Sequence, residues 1–250
     1  MTSIEHGGWR ISSVQRPILN AGEIDAATAR LGIPLPEMIF GNNLVELVHV
    51  ASGWTLRFDA LDALDRVDKT GTPDGGLVKV SYAEAWLKFR SRNEDVHDVV
   101  RPFDWTYTTD YKGTGTGFAP GTMEIPFDRL RRPDPILFFA ENMLFEDELG
   151  DNGTAEYNVR VRVMDGRLLV LARFFLRVDD VMMRVRDTRV FVEFGTGEVV
   201  REYVARQAPY TAVKARLPPS ADFGLYLRDA NWVAEQLPVV ERTLESATVN

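Results

Sequence analysis

The chain has no cysteine and only three histidines in 250 residues. The first absence excludes disulfides, thiolate nucleophiles and every zinc or iron–sulfur site that depends on cysteine. The histidines, His6, His49 and His97, stand far apart and show no ligand spacing. Long apolar runs are also missing. The longest, LLVLA at 168–172, is strand-sized and far below the roughly 18 residues a membrane-spanning helix needs. The opening stretch MTSIEHGGWR has no apolar signal segment, so the expected location is cytoplasmic, away from membranes. Positive charge is scarce: 29 Lys and Arg against 37 Asp and Glu leave a net charge of −8, which disfavours nucleic acid as a partner.

Recognisable catalytic motifs are missing as well. There is no P-loop, no G-x-S-x-G elbow and no H-E-x-x-H. The glycine-rich KGTGTGFAPGT at 112–122 leads into no helix and reads as a loop, not as a phosphate cradle. The carboxylates Glu146, Asp147, Glu148 and Asp151 could attract a hard cation, but they lack EF-hand spacing, and Asp104 with Asp110 could serve a hydrolase only as an unsupported pair. The residues therefore point to a non-enzyme without metal or cofactor. Two alternatives stay open, a metal-dependent hydrolase using clustered carboxylates and a small-ligand-binding β-sandwich.

What is present is an ordinary globular composition, 45% hydrophobic and 26% charged. It is enough for a single domain over 1–250, with 1–8 and 246–250 as mobile tails. Asn20 and Glu23 form a capping-box pattern that opens a helix through Arg30. LVELVH and WTLRFD alternate as a hairpin around VASG, and Leu61 to Val67 has helical spacing. Ser81 and Glu84 repeat the capping pattern before a helix with Ala83, Trp86 and Leu87 on one face. FDWTYTTDY reads as extended, because threonine and aromatic residues favour strands. ILFFAENMLFEDEL is ambiguous between helix and strand, and short helices are expected around Trp232 and over Val240 to Leu244.

From Tyr157 to Glu193 three consecutive strands are clear, with turns at Asp165-Gly166 and Asp179-Asp180. If both turns hold two residues, one face collects Val159, Val161, Val163, Leu168, Val170, Ala172 and Phe174 as core. The other face collects Arg160, Arg162, Arg173, Arg177, Arg184 and Arg186 as a basic band. Such a band suits an acidic partner segment, or is the paired outer face of a one-sided sheet. The same count puts Asp187 and Arg189 on the core side, opposite Ala172 and Val170. An apolar phase that breaks there signals either a bulge or the start of a cleft.

LPEMIFGNN at 35–43, PFDWTYTTDYKGT at 102–114, LFEDELGDNG at 144–153 and LARFFLRVDDVMMRVRDTR at 171–189 resemble the TIPRL, or Tip-forty-one-like, family of TOR-pathway regulators. The resemblance runs from about Trp9 to Arg206. It implies an α+β fold, mainly antiparallel β, in which an open two-layer β-sandwich is flanked by short helices. It implies a regulator that binds the catalytic subunits of type 2A protein phosphatases, including their C-terminal tail, and that works alongside other phosphatase regulatory proteins. By local alignment the partner-binding positions fall on Asp62, Ile125, Val185 and Asp187, with Arg189 beside them. Val185 stands where the family more usually has methionine. Thr108, Asp110, Tyr111 and Lys112 are candidates for a cleft wall. On this reading Asp187→Asn should weaken partner binding and leave thermal stability intact.

Overall fold

The computed structural model describes residues 1–68, 77–80, 99–218 and 222–249. The capping pattern at Ser81 and Glu84 with its helix, the loop KTGTPDGG and His97 lie outside the described residues.

In chain order the first half contains β1 (Thr2–His6), β2 (Trp9–Val14), α1 (Ala21–Leu31), β3 (Met38–Ile39), β4 (Leu44–His49), β5 (Thr55–Asp59) and α2 (Ala60–Asp65). It continues with β6 (Leu77–Val80), β7 (Val99–Pro102), β8 (Thr114–Gly115), β9 (Ala119–Pro120) and α3 (Phe127–Leu130). Then come the long strands β10 (Phe138–Asp147), β11 (Gly153–Met164), β12 (Arg167–Val178), β13 (Met182–Glu193) and β14 (Glu198–Pro209). Short helices α4 (Tyr210–Lys214), α5 (Phe223–Tyr226) and α6 (Ala230–Gln236) precede β15 (Val239–Thr248). The fold is α+β with antiparallel sheets. A five-stranded sheet has the order β1-β2-β4-β5-β8, and an eight-stranded sheet the order β3-β10-β11-β12-β13-β14-β15-β9.

Local chemistry explains several of these elements. The Asn20 side chain accepts from the Glu23 amide at 3.1 Å and Glu23 accepts from the Asn20 amide at 2.9 Å, which opens α1 as the sequence pattern requires. Gly32, at φ 71°, closes it in the left-handed conformation. Between the sheets the core is apolar. Val159, Val161, Leu168, Val170, Ala172 and Phe174 of the large sheet pack into one cluster with Trp9, Ile11, Val45, Leu47 and Phe58 of the small one.

One polar bolt crosses this core. Asn142, fully buried on β10, donates through its amide nitrogen to Ser13 Oγ at 3.1 Å, the Val14 carbonyl at 3.1 Å and the Leu44 carbonyl at 3.0 Å. It thereby satisfies groups on β2 and β4, at one end of the small sheet, that apolar neighbours could not.

Four expectations change. Phe103–Thr106 is a 3-10 turn, not a strand, and Tyr107 sits at φ 54°. Phe103, Thr106, Tyr107, Thr108, Thr109 and Tyr111 are all buried, so the segment is packed from several sides and strand propensity is overridden. Val240 to Leu244 belongs to β15, paired along β14. The stretches expected as tails carry β1, which pairs with β2, and the end of β15, where Ser246 pairs with Ala119. Within the ambiguous run at 136–149, Phe138–Asp147 is a strand whose inner side chains meet the core.

The fourth change is one of register. β11 and β12 pair with Val163 opposite Leu168, as a two-residue turn requires. β12 and β13, however, pair with Val178 opposite Met182, so three residues, Asp179 to Val181, form the loop. Asp180 takes φ 60° there, the left-handed residue that three-residue hairpins use. One added residue turns every β13 side chain to the opposite face.

Replacing Asn142 by leucine should cost about 1–3 kcal/mol, because it removes the donor to Ser13 Oγ and to the Val14 and Leu44 carbonyls. Thermal unfolding would then fall by about 2–4 °C per kcal/mol at this chain length. An unchanged melting curve would show that apolar contact alone holds the sheets together.

Candidate functional site

The corrected register places Asp187 opposite Arg173 and Arg189 opposite Leu171, on the outer face and not in the sandwich core. Arg184 and Arg186 move the other way. Arg184 donates to Thr108 Oγ1 at 3.1 Å and lies over the Phe103 ring, while Arg186 donates to the Arg206 carbonyl at 2.8 Å and to Gln207 Oε1 at 3.0 Å. Burial pulls the Arg186 pKa down. The expected six-arginine face is therefore split between the two sides of the sheet.

The arginines that stay outside are mostly paired within the chain. Arg160 binds Glu141 at 2.8 Å, Arg177 binds Asp179 at 2.8 Å, and Arg173 binds Asp187. Arg162 is exposed and lies near the Phe139 ring. The partners are neighbouring strand and loop carboxylates. Two adjoining grooves on this side, of about 300 and 440 Å³, share Glu156 and Arg228. The larger one is rich in carboxylates, with Glu146, Glu148, Asp151 and Asp179 along its walls, and burial together with Glu146 pushes the Glu156 pKa up.

Along β13 the outward side chains are Met183, Val185, Asp187, Arg189, Phe191 and Glu193. Val185 lies fully buried in an apolar cluster with Phe175 and Met183, under Tyr210, Val213, Leu227 and Val233 from the C-terminal helical segment. At the other end Ile125 packs with Phe191 and Val200. Between the two apolar clusters lies a belt of charge. Arg173 grips Asp187 with two bonds, Nε to Oδ1 at 2.6 Å and Nη2 to Oδ2 at 2.9 Å. Arg189 Nη2 adds a third at 2.9 Å, and Arg206 Nη1 stands 3.6 Å from the same carboxylate.

The belt continues outward on both sides. Arg173 Nη1 donates to Asn231 Oδ1 at 2.8 Å, at the start of α6. Arg189 Nη1 reaches Glu202 Oε2 at 3.2 Å, and Arg242 ties the other Glu202 oxygen at 2.7 Å to Glu124 at 3.0 Å. Sequence reading passed over Arg206, Glu202, Arg242 and Asn231. The signal for the first two was the polar interruption of VVREYVARQ, which becomes informative only once β14 is in register with β13: Asp187 faces Val204, Arg189 faces Glu202, and Val185 faces Arg206.

Asp62 is not part of this face. It accepts from Arg57 at 3.0 Å and Thr114 at 2.5 Å, beside a cleft of about 300 Å³ lined by Arg66, Asp110, Tyr111, Lys112 and Arg201. Partial burial would raise the Asp62 pKa, but the hydrogen bonds from Thr114 and Arg57 hold it below the usual carboxylate value. Arg201 belongs to the inner face, since it pairs with the core residue Val190, and the Lys112 ammonium lies over the Tyr203 ring of the same face. The structure thus brings Ile125, Val185, Asp187 and Arg189 to one side of the large sheet and leaves Asp62 with the cleft on the other. Asp110, Tyr111 and Lys112 line that cleft, whereas Thr108 is buried against Thr106 and Arg184.

Among the described residues no group of three or more His, Asp or Glu side chains is arranged to hold a metal ion. Asp147, central to the acidic segment, is occupied by the backbone: its carboxylate accepts from the Glu37 amide at 2.8 Å and the Leu149 amide at 2.6 Å. These bonds make it a brace for the 144–153 loop.

Residues 38–214 match the TIP41-like family. The chain is similar to the type 2A phosphatase activator TIP41 of Saccharomyces cerevisiae, 42% identical over 97% of this chain and 74% of the relative. It is similar to the human TIP41-like protein, 36% identical over 96% of this chain and 86% of the relative, and to the type 2A phosphatase activator tip41 of Schizosaccharomyces pombe, 34% identical over 94% of each.

The burial of Asp187 among three guanidinium groups replaces the expectation that Asp187→Asn leaves stability intact. Removing one partner from a buried ion network costs about 3–5 kcal/mol. Chemical denaturation of Asp187→Asn should report a loss of that order, and a midpoint equal to wild type would show that the network carries no folding energy.

Proposed function

Because this chain belongs to the TIP41-like family, we propose that it is a non-catalytic regulator of type 2A protein phosphatases that binds their catalytic subunit. The observation that carries this reading is similarity over almost the whole chain to relatives named as type 2A phosphatase activators, at 42% and 34% identity. The proposed setting is cytoplasmic, within TOR signalling, together with other phosphatase regulatory proteins.

The two polar regions suggest a division of labour. The outer face around Asp187 and Arg189, with Val185 and Ile125 on either side, is the proposed main contact. The cleft beside Asp62 is the proposed seat of the catalytic subunit's C-terminal tail. Arg66 and Lys112 supply positive charge there beside Asp110, while Arg201 is already paired with Glu245 at 2.9 Å, and the two cations favour a segment ending in a carboxylate.

Purified protein mixed with a type 2A catalytic subunit should elute as one complex in size-exclusion chromatography and should change the turnover of a phosphopeptide substrate. Separate elution at micromolar concentrations would sink the reading. For the cleft, Lys112→Ala should weaken binding of a synthetic tail peptide about tenfold or more, the loss expected for one charge-assisted contact. Equal binding of the peptide by wild type and variant would place the tail elsewhere.

A further inference from the structure

Asp187 has no exposed surface, and its oxygens already accept three hydrogen bonds from Arg173 and Arg189. A side chain so enclosed cannot touch a partner without dismantling its own network. The arginines around it can. Arg206 differs from its neighbours: its Nη1 is buried, stands 3.6 Å from Asp187 and has no hydrogen-bond acceptor among the described residues. About 20% of its side chain reaches solvent.

Arg173, Arg189 and Arg242 each have a carboxylate within hydrogen-bond distance, whereas Arg206 has its carboxylate, Asp187, only at 3.6 Å. Burial pulls the Arg206 pKa down; Asp187 opposes this, and the like charges of Arg189 and Arg173 add to the lowering. A guanidinium left in this state gains a strong partner when an anion arrives.

We propose that Asp187 is a positioning residue and that Arg206, with Arg189 and Arg173 beside it, binds an oxyanion, a carboxylate or a phosphate, carried by the type 2A catalytic subunit. The identity of the bearer rests on the phosphatase reading above; the anion site itself does not. Asp187 fixes the planes of Arg173 and Arg189 and draws in Arg206 from β14. The apolar clusters of Val185 and Ile125 bound the belt on both sides and keep its floor dry, which strengthens a charge-assisted bond there.

The anion site is tested on the full chain by following arginine side-chain NMR signals during titration with inorganic phosphate and, separately, with acetate. The Arg206 signal should shift to saturation with at least one of them, and the more potent anion identifies the class. An Arg206 signal that moves no more than that of Arg131, whose side chain is 80% exposed, overturns the proposal. Asp187→Asn should weaken the response even at temperatures where that variant stays folded.

The bearer is tested with the catalytic subunit. At temperatures where it stays folded, Arg206→Gln should weaken the complex about tenfold or more, with reduced salt dependence, and Arg206→Lys should restore part of the loss. Adding Arg206→Gln to Asp187→Asn should cost little more than Asp187→Asn alone, because both act through one network. Wild-type affinity in Arg206→Gln beside lost affinity in Asp187→Asn would overturn the positioning role. A saturable anion site in a chain that forms no complex would retain the site and remove the phosphatase as its bearer.

Discussion

A carboxylate with no exposed surface needs donors and counter-charge built around it, and the outer face of the three central strands is organised by that requirement. Asp187 sits on the middle strand of β12, β13 and β14, and its guanidinium partners come from all three. The network then fixes more than its own strands: through Asn231 it holds the start of α6, and through Glu202 and Arg242 it draws in Glu124, one residue before Ile125. The helical cover on one side and the 124–130 segment on the other are therefore tied to a single buried charge. Neighbouring apolar clusters complete the arrangement by excluding water on either side of it.

The large sheet separates two regions with different chemistry. Its outer side offers preorganised arginines that are already engaged, so recognition there depends on small differences in charge balance. The inner side at β14 offers an open cleft in which Lys112 and Arg201 lie against aromatic rings, Tyr203 and Phe118. A partner that uses both must reach around the sheet edge where β15 and β9 lie. That geometry suits a globular body on one side with an extended segment on the other.

Much of the fold was legible in the sequence where one local rule decided the outcome. The capping box at Asn20 and Glu23 and the Asp165-Gly166 turn are set by chemistry within a few residues. Failures came where distant contacts decided. Thr106 to Thr109 have strand-like propensity, yet the segment packs against Val67, Ala63 and β13 and is bent by a left-handed Tyr107. The phase break at Asp187 was a true signal read in the wrong direction. A two-residue turn starts β13 at Val181 and assigns Asp187 to the core and Arg184 to the surface; the three-residue loop reverses both. Arg206 is not marked by its own sequence neighbourhood, because its setting comes from Asp187 on the adjacent strand.

The three-residue loop Asp179 to Val181 has an evolutionary consequence. Surface loops ordinarily absorb insertions and deletions, since nothing behind them depends on their length. Here, removing or adding one residue while β13 stays paired would exchange its two faces, driving Arg189 and Asp187 into the apolar core and turning Val190 and Val192 out. Substitution is open to this loop, but change of length is not. Among related chains its residue count should vary far less than its residue types, a constraint imposed by the parity of the strand and not by anything the loop itself touches.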